Sequence, residues 1–254
     1  MSEVIPLELS KYKNKKWHSS QTFRFAANDN YCPLSIREVS EAAAALPIVF
    51  IRQEDHYLLA SLQGFNQGQN LLVNDNGMWL GMYCPMDYFF YPFCIITHEG
   101  KKIVCERSGS GLVSESVQGK AFFDTKGEKT PEFEELIQSL GQHTAGMERA
   151  AIITAQIAEF DLLVEWPINF ASGEKKITLN GAYSISEEKL NVLSASQLEE
   201  LRNSGALHVC YSQMVSTFNI KLLSHLHKSK AAEKSKADSP LAFDTGGSLN
   251  FDNF

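Results

Sequence analysis

The chain has 254 residues, 44% hydrophobic and 21% charged, with a formal net charge of −7. Such a composition suits a globular protein with enough apolar material for a buried core, and the acidic balance excludes the electrostatic footprint of a chain that approaches nucleic acid as a whole. No stretch reaches the ~20 apolar residues of a membrane span, and the start MSEVIPLELSKYKNKKW lacks the order of a secretory leader. Five widely spaced cysteines, Cys32, Cys84, Cys94, Cys105 and Cys210, point to reduced thiols and a cytoplasmic protein.

Residues 1–30 read as polar and irregular, with aromatics at Trp17, Phe23 and Phe25. In SIREVSEAAAALP, Ser35 and Glu38 form a capping box, the alanines favour helix, and Pro47 stops it. A helix is predicted over about 35–45. From Pro47 to about Phe123 the pattern is β. Strands are predicted at 47–51, 57–64, 70–74, 78–84, 93–98 and 102–106, with tight turns at Asn76-Gly77 and at His98–Lys101. Hairpins imply antiparallel neighbours. Alternation puts Trp79, Gly81 and Tyr83 on one face and Met78, Leu80 and Met82 on the other, both apolar, so that segment is expected to be covered on both sides.

The second half reads as helical. Thr130-Pro131 opens one helix through FEELIQSLGQ, and a second is expected at about 146–164. A strand pair follows in INFASGEKKITLNGAYSI, with a turn at Ser172-Gly173-Glu174. Ser194 and Gln197 form another capping box, and Gly205 suits a helix end. A last helix at about 206–227 sets Leu207, Tyr211, Met214, Val215, Phe218, Leu222 and Leu226 on one side. Past Lys228 the composition turns small, charged and turn-forming, so disorder is expected over 229–254. The sum is an α+β fold in a single domain over 1–228: an antiparallel β-rich half at about 31–125 packed with a helical half at about 130–228.

Chemistry leaves little trace. There is no H-E-x-x-H, no zinc spacing, no phosphate loop and no G-x-S-x-G, so no metal, cofactor or catalytic residue is assigned. His225 and His227 read as a solvated helix end, and Cys84, before Pro85, heads any list of nucleophiles. The stretch GMYCPMDYFFYPF is the most unusual. It holds one carboxylate, Asp87, among rings, and a polar group in apolar surroundings is what a ligand pocket uses. Trp79, Tyr83, Asp87, Tyr88 and Tyr91 are therefore the candidate ligand-binding residues, for a protein partner or a small aromatic ligand, although core packing is the favoured reading for most of the rings.

The same region resembles the SapC family. Its pattern is met at Gly68, Asn70, Leu71, Leu72, Val73, Gly77, Trp79, Tyr83 and Pro85, followed by Tyr91-Pro92-Phe93; PIVFI and a C-terminal element at Gly205, Leu207, Tyr211, Ser216, Asn219 and Leu223 also fit. Where the family commonly has two arginines before Y-P-F, this chain has Phe89 and Phe90, so an anion-binding role there does not carry over. The resemblance implies an accessory or binding protein associated with surface layers, or with outer-membrane-receptor and tryptophan-halogenase-like systems, and it brings no catalytic residues. Two further readings stay open: a tailoring enzyme working with a flavin-dependent partner, and a structural surface-layer component.

Overall fold

The computed structural model describes residues 3–116, 118–172 and 175–237. In chain order the first half holds β1 (Val4–Pro6), α1 (Leu9–Tyr12), β2 (Lys16–Trp17), β3 (Tyr31–Pro33), α2 (Val39–Ala45), β4 (Ile48–Gln53), β5 (His56–Leu62), α3 (Met86–Phe89), β6 (Phe93–His98), β7 (Lys101–Arg107), β8 (Val113–Ser114) and β9 (Lys120–Ala121). The second half holds α4 (Pro131–Glu159), β10 (Leu163–Glu165), β11 (Ile168–Ser172), β12 (Lys175–Leu179), β13 (Ala182–Ile185), α5 (Glu187–Asn191), α6 (Ala195–Ser204), α7 (Ala206–Ser216) and α8 (Ile220–Ala237). This is the α+β arrangement expected, and every strand pairing described is antiparallel.

The central sheet runs β10-β13-β4-β5-β3. One hydrophobic cluster joins it to α2, α4 and α7 through Ile48, Phe50, Leu59, Ile153, Ile157 and Val209. A second cluster joins Val49, Ala60, Leu62 and Leu72 to Phe170 and to Leu223 of α8. A third, aromatic cluster of Tyr12, Trp17, Phe93, Phe122 and Phe133 ties the N-terminal segment to β6 and α4. Residues 1–30 are thus less irregular than their polarity suggests. β1 pairs with β7, β2 pairs with β8 and β9, and Trp17 and Tyr12 are core residues.

Local signals are met where they are strongest. The Ser35–Glu38 and Ser194–Gln197 capping boxes both form, Thr130 Oγ1 accepts the Phe133 N–H, and Gly205 ends α6 at φ 88°. The β6–β7 hairpin turns through Glu99 and Gly100, both at positive φ.

Several expectations are corrected. Residues 70–74 and 78–84 form no strands, only one isolated bridge between Val73 and Trp79. Their backbone N–H groups are divided between scattered carbonyls and asparagine side chains: Asn70 donates to the Ala27 carbonyl and Leu71 to that of Gln63, while Leu72 donates to Asn70 Oδ1 and Met78 to Asn74 Oδ1. Nor is that segment covered on both sides, because Met78 and Leu80 are exposed and Met82 is 97% exposed. The two helices expected at 131–164 are one, α4, which runs unbroken through Gly141 and Gly146. Gly146 has a packing reason: a Cβ there would meet Ser35 Oγ, the cap of the helix that α4 crosses.

The last helix is divided by a 3-10 turn at Thr217–Asn219, and α7 turns its polarity around. Its buried face carries Ala206, Val209, Cys210, Gln213 and Ser216, while Tyr211 and Val215, with Phe218 of the following turn, are exposed. α8 continues past Lys228 to Ala237. Gly173, Glu174 and the rest of the tail from 238 lie outside the described residues.

His227 is also not the solvated group expected, being only 7% exposed. It abuts Phe65 and Phe170 edge-on at 5.7 and 5.2 Å, and neither ring nitrogen has a hydrogen-bond partner among the described residues. Burial holds its pKa below the ordinary histidine range. The unfolded chain takes up a proton near pH ~6.5 while the folded site resists, so stability present above that pH is lost as pH falls toward the folded value. Urea midpoints should therefore drop on acidification through this window, and His227→Leu should flatten the slope by up to ~1.4 kcal/mol per pH unit. An unchanged slope would place the acid sensitivity elsewhere.

Candidate functional site

The five candidate residues lie together, but most of them serve the fold. Trp79 Nε1 donates to the Tyr83 carbonyl at 2.8 Å. Tyr83 donates its hydroxyl to Glu38 Oε2 at 2.8 Å, and burial first, then Glu38, push that phenol well up from its ordinary range. Tyr88 is buried and donates to Gln63 Oε1 at 2.7 Å, with Asp29 Oδ2 3.2 Å away. Tyr91 stacks on Phe25 at 3.9 Å, nearly coplanar. Phe23 and Phe25, which looked like scattered aromatics, are the other half of this packing, against Trp79, Phe89 and Tyr88.

Two buried residues organise the segment. Glu38, 1% exposed, caps its helix through Oε1, which accepts the Ser35 N–H at 2.9 Å. Its other oxygen accepts the Tyr83 hydroxyl and the Met86 N–H, both at 2.8 Å, and so fixes the chain on either side of Pro85. Gln63 completes the centre: its oxygen accepts from Tyr88 and Asn70, and its amide donates to Ser61.

Asp87 alone of the five faces charged or titratable groups within ion-pair reach. Arg107 Nη2 lies 3.9 Å from Oδ2, and His143 Nε2 lies 3.4 Å from Oδ1. His143 comes from α4, and Phe90 packs over its ring at 5.0 Å. Nothing local to Asp87 signals either partner.

The thiols argue against nucleophilic chemistry. Burial pushes all five up, Cys84 and Cys210 to about 12; a thiol held protonated is a poor nucleophile. Among the described residues no group of three or more His, Cys, Asp or Glu could hold a metal ion, and no helix is long and apolar enough to cross a membrane.

A surface groove lies elsewhere, beside α7. It measures about 630 Å³ and is lined by Trp166, Ile185, Met214, Val215, Phe218 and Ile220 together with Glu187 and Lys221. It exists because α7 spends its inward polar residues on the sheet. The β13–β4 ladder pairs Ala182 with Ile51 and Tyr183 with Phe50. Further along, Gln213 takes over: Ile185 N–H donates to Oε1 at 2.9 Å, and Nε2 donates to the Ile48 carbonyl at 3.1 Å. Ser216 accepts the Ile48 N–H at 2.9 Å, and Asn219 donates to the carbonyls of Ala43 and Leu46. With the polar side committed inward, the apolar side is left in water.

Fold and site together define an α+β protein whose buried polar residues hold its framework and whose α7 presents an apolar face that no described residue covers. The SapC family model matches residues 7–223, and the chain belongs to the SapC family. Comparison with curated proteins and with solved structures found no match.

Proposed function

We propose that this SapC-family protein is a non-catalytic binding or accessory protein of the cytoplasm that seats an amphipathic helix of a partner protein against the outward face of α7. The observation that carries this reading is the stripe Tyr211, Val215 and Phe218, with Val215 64% and Phe218 70% exposed beside the groove. Its spacing is the one that a helix offers to another helix. Monomeric proteins seldom leave such a contiguous apolar face open without a use for it. Lys221 and Glu187 line the same groove, and neither has an ion-pair partner among the described residues. The complementary ligand is thus a helix with a bulky apolar face flanked by charges of both signs. Trp79, Tyr83, Tyr88 and Tyr91 act in this reading as scaffold. Free thiols, three of the five buried, suit a reducing compartment. The link to surface-layer, outer-membrane-receptor or halogenase-like systems rests on the family resemblance.

A photo-crosslinking amino acid at Val215, with one at exposed Val192 as control, tests this in the cell of origin. The protein joined from position 215 alone would be identified, purified and titrated against the full chain. Phe218→Asp should weaken that complex by about 2 kcal/mol or more, as the loss of a central aromatic anchor does, while leaving the melting temperature unchanged. Adducts only with a second copy of this chain, or none at all, would defeat the proposal.

A further inference from the structure

We propose that Cys94 and Cys105 form a redox modification site, at which a low-molecular-weight disulfide of the glutathione type oxidises the two thiols to a reversible cross-strand disulfide. The site lies on the β6–β7 hairpin and is independent of the α7 groove.

The strand register supplies the first argument. Cys94 of β6 stands directly opposite Cys105 of β7, so both side chains project from one face of the sheet. Phe93, Ile95 and Val104 pack into the aromatic cluster from the other face. All five cysteines are free, and among the described residues these two alone are set opposite each other by a strand ladder. The Arg107 N–H donates to the Pro92 carbonyl at 2.8 Å. That bond fixes the alternation of the ladder and makes Cys94 and Cys105, two residues further along, a hydrogen-bonded pair. Such a pair has Cα atoms about 5.5 Å apart, within the span of a disulfide. Its Cβ atoms stand toward ~5.5 Å apart, whereas a relaxed disulfide holds them at about 3.8 Å. The closed bond is therefore strained, and a strained disulfide is readily reduced. This geometry suits a switch and not a permanent staple.

The second argument is the order of attack. β7 is the middle strand of the β1-β7-β6 sheet, and Cys105 is buried with Pro6 opposite it on one flank and Cys94 on the other. Cys94 is on the edge strand and half-buried, so a reagent meets it first. Burial pushes both thiols up from their ordinary range, but at Cys94 the neighbouring Arg107 guanidinium pulls part of the way back and favours the thiolate there. In the first step the Cys94 thiolate attacks one sulfur of oxidised glutathione. The S–S bond breaks, a mixed disulfide forms and one glutathione thiolate leaves. In the second step the Cys105 thiolate attacks Cys94 Sγ and displaces the other glutathione. Two protein thiols are oxidised, one glutathione disulfide is reduced, and the two protons pass through solvent to the departing thiolates. Both protein thiols are mostly protonated at neutral pH, so the exchange is slow and quickens as pH rises.

The test equilibrates the full chain in buffers of rising oxidised-to-reduced glutathione ratio, then quenches with acid, alkylates and digests with trypsin. Mass spectrometry should find peptides 53–101 and 103–107 joined, with fragmentation placing the bond at Cys94 and not at Cys84. Excess reduced glutathione should open it. Cys105→Ala, which keeps a small apolar group in the buried position, should stop at the Cys94–glutathione mixed disulfide. Cys94→Ser, at the half-buried position, should leave Cys105 reduced. Parental melting temperatures in both variants would show that the hairpin is intact. The absence of a joined peptide at every ratio would overturn the proposal, as would a bond to Cys84 in its place. So would a Cys94–Cys105 bond that reduced glutathione cannot open, or a parent chain that retains glutathione on Cys94 as Cys105→Ala does.

Discussion

Replacing Glu38 by alanine is expected to cost about 3–5 kcal/mol of folding stability, because it orphans three donors at once, one buried and two half-buried. The Ser35 N–H, the Tyr83 hydroxyl and the Met86 N–H all donate to this carboxylate at 2.8–2.9 Å. Removing the buried charge recovers some desolvation, but the donors it leaves sit where little water can reach them. Glu38→Gln should be milder, at about 1–2 kcal/mol, since a correctly turned amide keeps the two bonds at Oε2 and sets its N–H₂ group against the Ser35 N–H. Tyr83→Phe should cost about 1 kcal/mol. Urea unfolding of the three variants reads the series directly. Equal losses for alanine and glutamine would mean that the cap alone matters and that the Tyr83 and Met86 bonds contribute nothing.

Gln213→Leu should cost about 2–4 kcal/mol, although it puts a more hydrophobic residue of similar size into a fully buried position. Hydropathy alone predicts a gain. The loss follows because the Ile185 N–H and the Ile48 carbonyl have only Gln213 to pair them where the β13–β4 ladder ends. Ser216→Ala should cost about 1–2 kcal/mol through the orphaned Ile48 N–H. The double variant should fall short of the sum, because both side chains serve Ile48 and Ser216 also donates to the Gln213 carbonyl. Hydrogen exchange adds a local check: the Ile48 and Ile185 amides should lose protection first. A Gln213→Leu protein as stable as the parent would show that these groups find other partners.

What the sequence made legible was local chemistry. Capping boxes, the proline at the start of α4 and the glycine at the end of α6 each involve groups within a few residues of one another, so pattern and geometry coincide. The β6–β7 hairpin is legible for the same reason. Glu38 was only half readable: its cap lies three residues away, but its bonds to Tyr83 and Met86 span 45 and 48 residues. The strands expected at 70–74 and 78–84 failed because apolar density says nothing about where the backbone bonds go. Asn70 and Asn74 take those of Leu72 and Met78, as asparagine does in turns, and carbonyls of other segments take those of Asn70 and Leu71.

α7 misled for a deeper reason. Helical periodicity identifies an apolar face and assumes that it points inward, whereas here the sheet's unpaired groups drew Gln213 and Ser216 inside. Of the candidate site, Asp87 could be picked out as a lone charge among rings, but Arg107 and His143 could not, since neither stands out in its own neighbourhood.

α8 changes where this protein ends as a folding unit. The family match stops at residue 223, yet His227 closes over the Phe65–Phe170 stack. Lys230 then reaches back to donate to the carbonyls of Asn70 and Val73, the stretch that carries the family's most specific residues. The packed structure therefore extends past the boundary drawn by sequence likeness. A chain trimmed to that boundary would leave an aromatic stack open and two carbonyls bare, and the helix beyond the match is a latch on residues within it.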